Sequence, residues 1–291
     1  MMLACAFLWG ISFVAQRLAA QSMGGMPFTF NAARYLIGTA ILAPFVCRLG
    51  ALRSRATWIG GAAAGAAMIA GSSLQQAAMH SVSAGTAGFI TGTYVVWVPL
   101  LSLIVGQRVA RRVWIGVAFA LVGLWILCID GEFSLEPSEL LLLGCALSWA
   151  IHVLVIGWAA TRGDVFGIAF VQFLVTAIVC TGTAIAIEPV SMAIVQNAIG
   201  PIAFAGVFSI AIAFTLQVFA QTSAPPAHAA IILSLESVFA EVAGSVWMHE
   251  GFGMRKWLGA LLILAGALVA TVTGPRPRPP EAIRPREAAA D

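Results

Sequence analysis

WIGVAFALVG, residues 114–123, returns as WLGALLILAG at residues 257–266. Trp114, Gly116 and Gly123 keep the mutual spacing of Trp257, Gly259 and Gly266, and every residue between them is apolar. A repeat at this distance makes the chain two copies of one unit. Other matches fall at an offset of about 140 residues. CAFLWGI (Cys5–Ile11) lies over CALSWAI (Cys145–Ile151), pairing Trp9 with Trp149 and Ser12 with His152, and Leu74-Gln75 lies over Leu216-Gln217. The same alignment sets Tyr94 against Glu236.

The solvent of this unit follows from charge. The chain has 291 residues, 60% of them hydrophobic, with 15 Lys plus Arg, 12 Asp plus Glu and a net charge of +3. Seven of those charges crowd into residues 274–291. A soluble domain carries roughly one-quarter charged residues, so water-soluble and disordered classes are excluded. A bilayer span takes about 20 apolar residues. Apolar runs predict spans at about 2–20, 27–47, 57–79, 83–106, 112–129, 138–160, 165–187, 199–221, 226–249 and 255–273. Lipid leaves no partner for free backbone groups and the runs are too long for barrel strands, so the spans are helices. The expected fold is an all-α membrane protein of ten transmembrane helices in two five-helix repeats, 1–129 and 138–273. An acidic outer loop (130–137) separates them and a Pro- and Arg-rich disordered cytoplasmic tail (274–291) follows. The N-terminal stretch lacks a basic leader and carries Trp9, Gln16 and Arg17, so it reads as a retained helix rather than a signal peptide.

Five spans per copy is an odd number, so the second copy is inverted, an arrangement typical of transporters that bind substrate near mid-membrane between the repeats. With both termini inside, the cytoplasmic side holds Arg48, Arg53, Arg55, Arg108, Arg111, Arg112, Arg162 and four tail arginines. The outer side holds Arg17, Arg255 and Lys256, so the positive-inside rule places both termini in the cytoplasm of a bacterial-type inner membrane.

The motifs LWGISFVAQR (8–17) and SLESVFAEVAGSVWMHE (234–250), with the Trp- and Gly-bearing last span, resemble the EamA-type members of the drug/metabolite transporter superfamily. The resemblance covers about residues 1–273. It implies ten helices in two inverted bundles, a central cavity and movement of small polar metabolites, often export of amino acids or their relatives. Two positions depart from the family pattern. Gln107-Arg108 stands where a glutamate commonly closes the fourth helix, while the ninth keeps Glu250, and Arg17 replaces a frequent lysine.

Glu236 is the sharpest single residue, ten residues into its span and about 15 Å deep. An acidic residue at that depth costs about 2.5–3.5 kcal/mol unless it faces a cavity, finds donors or is protonated. It is a candidate for proton coupling and substrate contact. A structural, donor-paired glutamate is the competing reading. Glu241, roughly 140° further around the helix, is expected to serve packing. His152 is the second candidate for proton coupling, since histidine titrates near neutral pH. Trp149, His152 and Ile156 share a face, as do Trp9, Ser12 and Gln16, and these stripes are expected to wall the centre. Gln75, Gln217 and Tyr94 complete the expected substrate set, each with interhelical bonding as the alternative. Arg34 is expected to snorkel to the interface, and Pro99 to bend the fourth helix. Gly61/Gly65 and Gly88/Gly92 suit either internal packing or a homodimer.

The expected function is alternating-access transport of a small polar or amphipathic metabolite. A channel-like facilitator is the main rival and an intramembrane enzyme a weaker one, since no HExxH or paired carboxylates share a face. No cofactor or metal is expected, the five cysteines reading as packing residues. Partners are a small-molecule substrate and membrane lipid, with no nucleic acid, the chain being a monomer or a homodimer.

Overall fold

The structure, a computed structural model, describes residues 1–128, 136–247 and 253–272. Most of the acidic loop, Glu250 and the tail lie outside the described residues. Among the described residues there is no strand, and ten long helical stretches follow one another. They are α1 (Met2–Ser22), α2 (Pro27–Leu49), α3 (Arg55–Ala78), α4 (Ala84–Ile104) and α5 (Arg111–Cys128), then α6 (Pro137–Ala159), α7 (Val165–Ile187), α8 (Ile199–Gln221), α9 (Pro226–Trp247) and α10 (Met254–Val272). Their ends fall within about two residues of the apolar runs. Eight, all but α3 and α5, are long and apolar enough to cross a membrane. The protein is an integral membrane protein.

Local chemistry sets the helix ends. Ser54, Ser83 and Asp164 accept backbone N–H groups at the starts of α3, α4 and α7, and Glu136 and Glu139 form a capping box on α6. Pro27, Pro137 and Pro226 occupy first turns, where a missing N–H costs nothing. Gly50 ends α2 at φ 62°, a left-handed conformation that suits glycine. At its other end α2 has Met26, which cannot cap. Glu188, just past α7, reaches across instead and accepts from Phe28 N (2.9 Å), Thr29 N (2.7 Å) and Thr29 Oγ1 (2.6 Å). Glu188→Ala is expected to cost about 2 kcal/mol, read as a lower unfolding midpoint in detergent; an unchanged midpoint would show that water replaces the cap.

The helices pair in a reciprocal way. α2 packs on α7 and α5 on α10, while α1 contacts α9 and α8, α6 contacts α4 and α3, and α3 also meets α7. Between α5 and α10 the backbones nearly touch. A Cβ on Gly116 would lie 2.8 Å from Gly266 O, and one on Gly123 would lie 2.7 Å from Gly259 O. Gly61 and Gly65 face α7, and Gly88 and Gly92 face α9, so these spacings serve contacts within the chain. Trp58 and Trp158 are exposed at one end of the bundle, and Trp125, Trp247 and Trp257 at the other, as aromatic belts at two lipid–water interfaces would be.

Three helices depart from regular winding. α4 tightens at Thr93, where Thr93 N bonds Ile90 O and Val96 N bonds Thr93 O. α9 tightens at the repeat-equivalent place, Leu235 N bonding Ile232 O and Val238 N bonding Leu235 O. Pro99 lies one turn or more beyond the first of these, inside the helical run Tyr94–Ile104. In α8 residues Ala205–Phe214 form a π-helical stretch, a rare winding that is frequent at functional sites.

Candidate functional site

Glu236 and Tyr94 are the residues that follow the two tightened turns, and both face one cavity inside the bundle. Glu236 is 5% exposed, and the Tyr94 hydroxyl in the same cavity is buried without a hydrogen-bond partner. Beside them Ser237 Oγ donates to Gly88 O at 2.7 Å, tying α9 to α4 where both helices are tight. About 50 Å³ of the cavity is open to the centres of water molecules, room for a few waters at roughly 10–15 Å³ each.

The wall is aromatic. Phe214, last residue of the π-helical stretch, packs between Trp9 (ring centroids 4.6 Å apart) and Trp149 (5.6 Å) and meets His152 edge-on at 5.7 Å. The stripes of α1 and α6 therefore meet through Phe214 rather than directly. Trp9 Nε1 donates to Ser209 O (3.3 Å) and Cys5 Sγ to Ala213 O (3.2 Å), so α1 holds carbonyls of the π-helical stretch.

The amides are largely committed to structure. Trp149 Nε1 donates to Gln75 Oε1 (2.9 Å), Gln75 Nε2 donates to Gln16 Oε1 (3.1 Å), and Gln76 Nε2 donates to Gln16 O (3.1 Å). Such interhelical bonds contribute about 0.6 kcal/mol each in membranes. The Oε1 atoms of Gln217, Gln76 and Gln221 are buried without a hydrogen-bond partner, and of the three only Gln217 lines the cavity among the described residues. His152 Nε2 lies 2.9 Å from Gln172 Oε1, so a neutral ring donates there.

Of the eight residues expected to contact substrate, Trp9, Gln75, Tyr94, Trp149, His152, Gln217 and Glu236 line the cavity. Ser12 does not. It is buried about 60° around α1 from Trp9, and its short side chain falls short where the longer His152 reaches. Arg34 corrects the expectation of snorkelling: it is 3% exposed and lines the cavity, its guanidinium 5.0 Å and 5.1 Å from the Phe30 and Tyr35 ring centroids. Phe13, Tyr35, Thr91 and Phe214 also line it and were not anticipated. Thr91 and Phe214 carried no sequence signal, whereas Arg34, a lone cation in an apolar run, did.

Glu241, Lys256 and Arg17 lie apart from the cavity. Glu241 forms an ion pair with Lys256, joining α9 to α10, and Gly85 of α4 leaves the space the carboxylate fills. Arg17 Nη1 donates to Met79 O (2.7 Å) and to Val82 O, closing α1 onto the α3–α4 connection.

Comparison with known proteins gives a consistent picture. The description of the EamA-like transporter family matches residues 1–129 and 137–272. A protein of Archaeoglobus fulgidus named an uncharacterized transporter is 28% identical over 268 residues, covering 92% of this chain and 83% of that one. A solved crystal structure superposes with a TM-score of 0.73 at 20% identity, over 92% of this chain and 96% of its own, which is likeness of fold.

Proposed function

The chain belongs to the EamA-like transporter family, and from that premise we propose a secondary carrier that moves a small polar or amphipathic metabolite by alternating access. The observation that carries this reading is the cavity itself, where Glu236 and Tyr94 follow equivalent tight turns and face an aromatic wall. A residue of mid-helix 3₁₀ winding is a common hinge, and here two of them flank the only described carboxyl in the cavity.

The architecture proposed is ten spans in two inverted repeats, residues 1–129 and 138–273. Three features support it: the family match falls in two stretches, the tight turns recur at one offset, and the α5–α10 glycines meet in exchange. Gly116 contacts Gly266 and Gly123 contacts Gly259. Swapping each residue for its repeat equivalent turns the first contact into the second, as a two-fold axis in the membrane plane requires. The arginine distribution favours cytoplasmic termini.

Trp9, Trp149, Gln217, Tyr94 and Glu236 are assigned to substrate, with Gln75 positioning Trp149. Proton coupling is assigned to Glu236, the only carboxyl among the described residues that line the cavity, ahead of His152, which is bonded to a neutral amide. The test is reconstitution into liposomes with a panel of radiolabelled metabolites. Uptake that saturates and is stimulated by unlabelled substrate inside the vesicle is the expected result. Flux that rises linearly with concentration and shows no such exchange would make the protein a channel.

A further inference from the structure

Among the described residues Arg34 has no counter-charge. It makes no ion pair and no hydrogen bond among them, and its Nε is buried without a partner. Arg17 and Lys256, by contrast, each meet protein oxygens. A guanidinium does not shed its proton in proteins, so Arg34 is a permanent cation on the wall of an apolar cavity. What holds it there is the pair of rings, Phe30 and Tyr35, that take its face. Arg34 lines the cavity, and neither ring brings a charge to answer its own.

Glu236 lines the same cavity, and the two do not pair. Arg34 stands on α2 and Glu236 on α9, so the gap between them is where a molecule would lie. An arginine fork matches the two oxygens of a carboxylate. One cation balances one negative charge, whereas a phosphate monoester brings nearly two into a site that already holds a carboxyl. The walls on either side are Trp9, Trp149 and Phe214, suited to an apolar body.

We propose that Arg34 is the docking point for a carboxylate of the transported molecule, so that the cavity selects amphipathic monocarboxylates, free or as the acid end of an amino acid. The inference rests on the carrier reading of the cavity, and its test is separable from that reading. Wild-type protein in lipid nanodiscs is titrated with 3-phenylpropionate, L-phenylalanine, 3-phenylpropanamide and phenyl phosphate, following the intrinsic tryptophan fluorescence, to which Trp9 and Trp149 of the cavity contribute among nine tryptophans, together with the unfolding midpoint. Both carboxylates are expected to bind roughly tenfold or more tightly than the amide, the difference a charge-assisted fork makes. Arg34→Gln removes the preference, and Arg34→Lys, a point charge without the fork, keeps part of it.

Equal binding of acid and amide overturns the proposal, as does failure of both carboxylates to bind at millimolar concentration, tighter binding of phenyl phosphate, or a preference that survives in Arg34→Gln. Should Arg34→Gln not fold, the wild-type comparison and Arg34→Lys decide. Exchange transport without an acid preference leaves the carrier standing and removes the role of Arg34. Acid binding through Arg34 without exchange transport does the reverse.

Discussion

Glu236→Gln protein in liposomes is expected to exchange substrate at close to the wild-type rate but no longer to accumulate it against a pH gradient. The amide keeps the size and the hydrogen-bonding capacity of the carboxyl and cannot carry a proton, so the exchange of labelled for unlabelled substrate survives while the coupled step does not. With one proton per substrate, each pH unit of gradient supplies about 1.4 kcal/mol, or roughly tenfold accumulation. Wild-type vesicles are therefore expected to concentrate substrate up to about tenfold per unit, and the variant to stop at equal concentrations. The titratable and charged groups sharing the cavity with Glu236 are Tyr94 from α4, Arg34 and Tyr35 from α2 and His152 from α6. His152→Gln separates the last of these: retained accumulation leaves the coupling with Glu236. Undiminished accumulation by Glu236→Gln would remove Glu236 from it.

The second large effect is on stability. Gly123→Leu places a side chain where a Cβ alone would lie 2.7 Å from Gly259 O and 2.8 Å from Ile263 N. Both neighbours are backbone, which cannot swing aside as a side-chain tip can. The helices must separate along the contact that joins α5 to α10, and the loss is expected to be roughly 3 kcal/mol, at the upper end for overpacking. Gly182→Leu is the matched change on α7, where nothing lies within 4 Å of the added Cβ. Its midpoint is expected to stay near wild type, so the pair of thermal melts distinguishes close packing from a general intolerance of leucine. Equal losses at the two sites would defeat the explanation.

Much of this was legible because an apolar chain makes polar residues conspicuous. Trp149, His152, Gln217, Tyr94 and Glu236 stood out against alanine, leucine and valine, and depth along a span follows from counting residues at 1.5 Å each. Rotation about the helix axis does not. Arg34, seven residues into α2 and so about 10 Å from its start, was near enough to an interface to reach it. Packing of α2 against α7 and α8 turned it inward instead. Phe214 was invisible for the opposite reason: one phenylalanine in SIAIAF looks like its neighbours, and only the π-helical winding aims it between two tryptophans. The tight turns at Thr93 and Leu235 carry no proline, while Pro99 drew attention elsewhere. Lys256, an exception to the charge asymmetry as a loop cation, is accounted for by Glu241, to which it is drawn as a partner.

The π-helical stretch of α8 also sets a register. A helix that gives up one residue of such widening turns everything beyond it by about 100° and advances it about 1.5 Å. Phe214 closes the stretch and Gln217 follows three residues later, both on the cavity wall. A single click of this ratchet would carry the ring out from between Trp9 and Trp149 and the amide oxygen away from the cavity in the same movement. The aromatic floor and its polar neighbour are therefore two readings of one dial, fixed at its present setting by the Trp9 and Cys5 donors that α1 supplies.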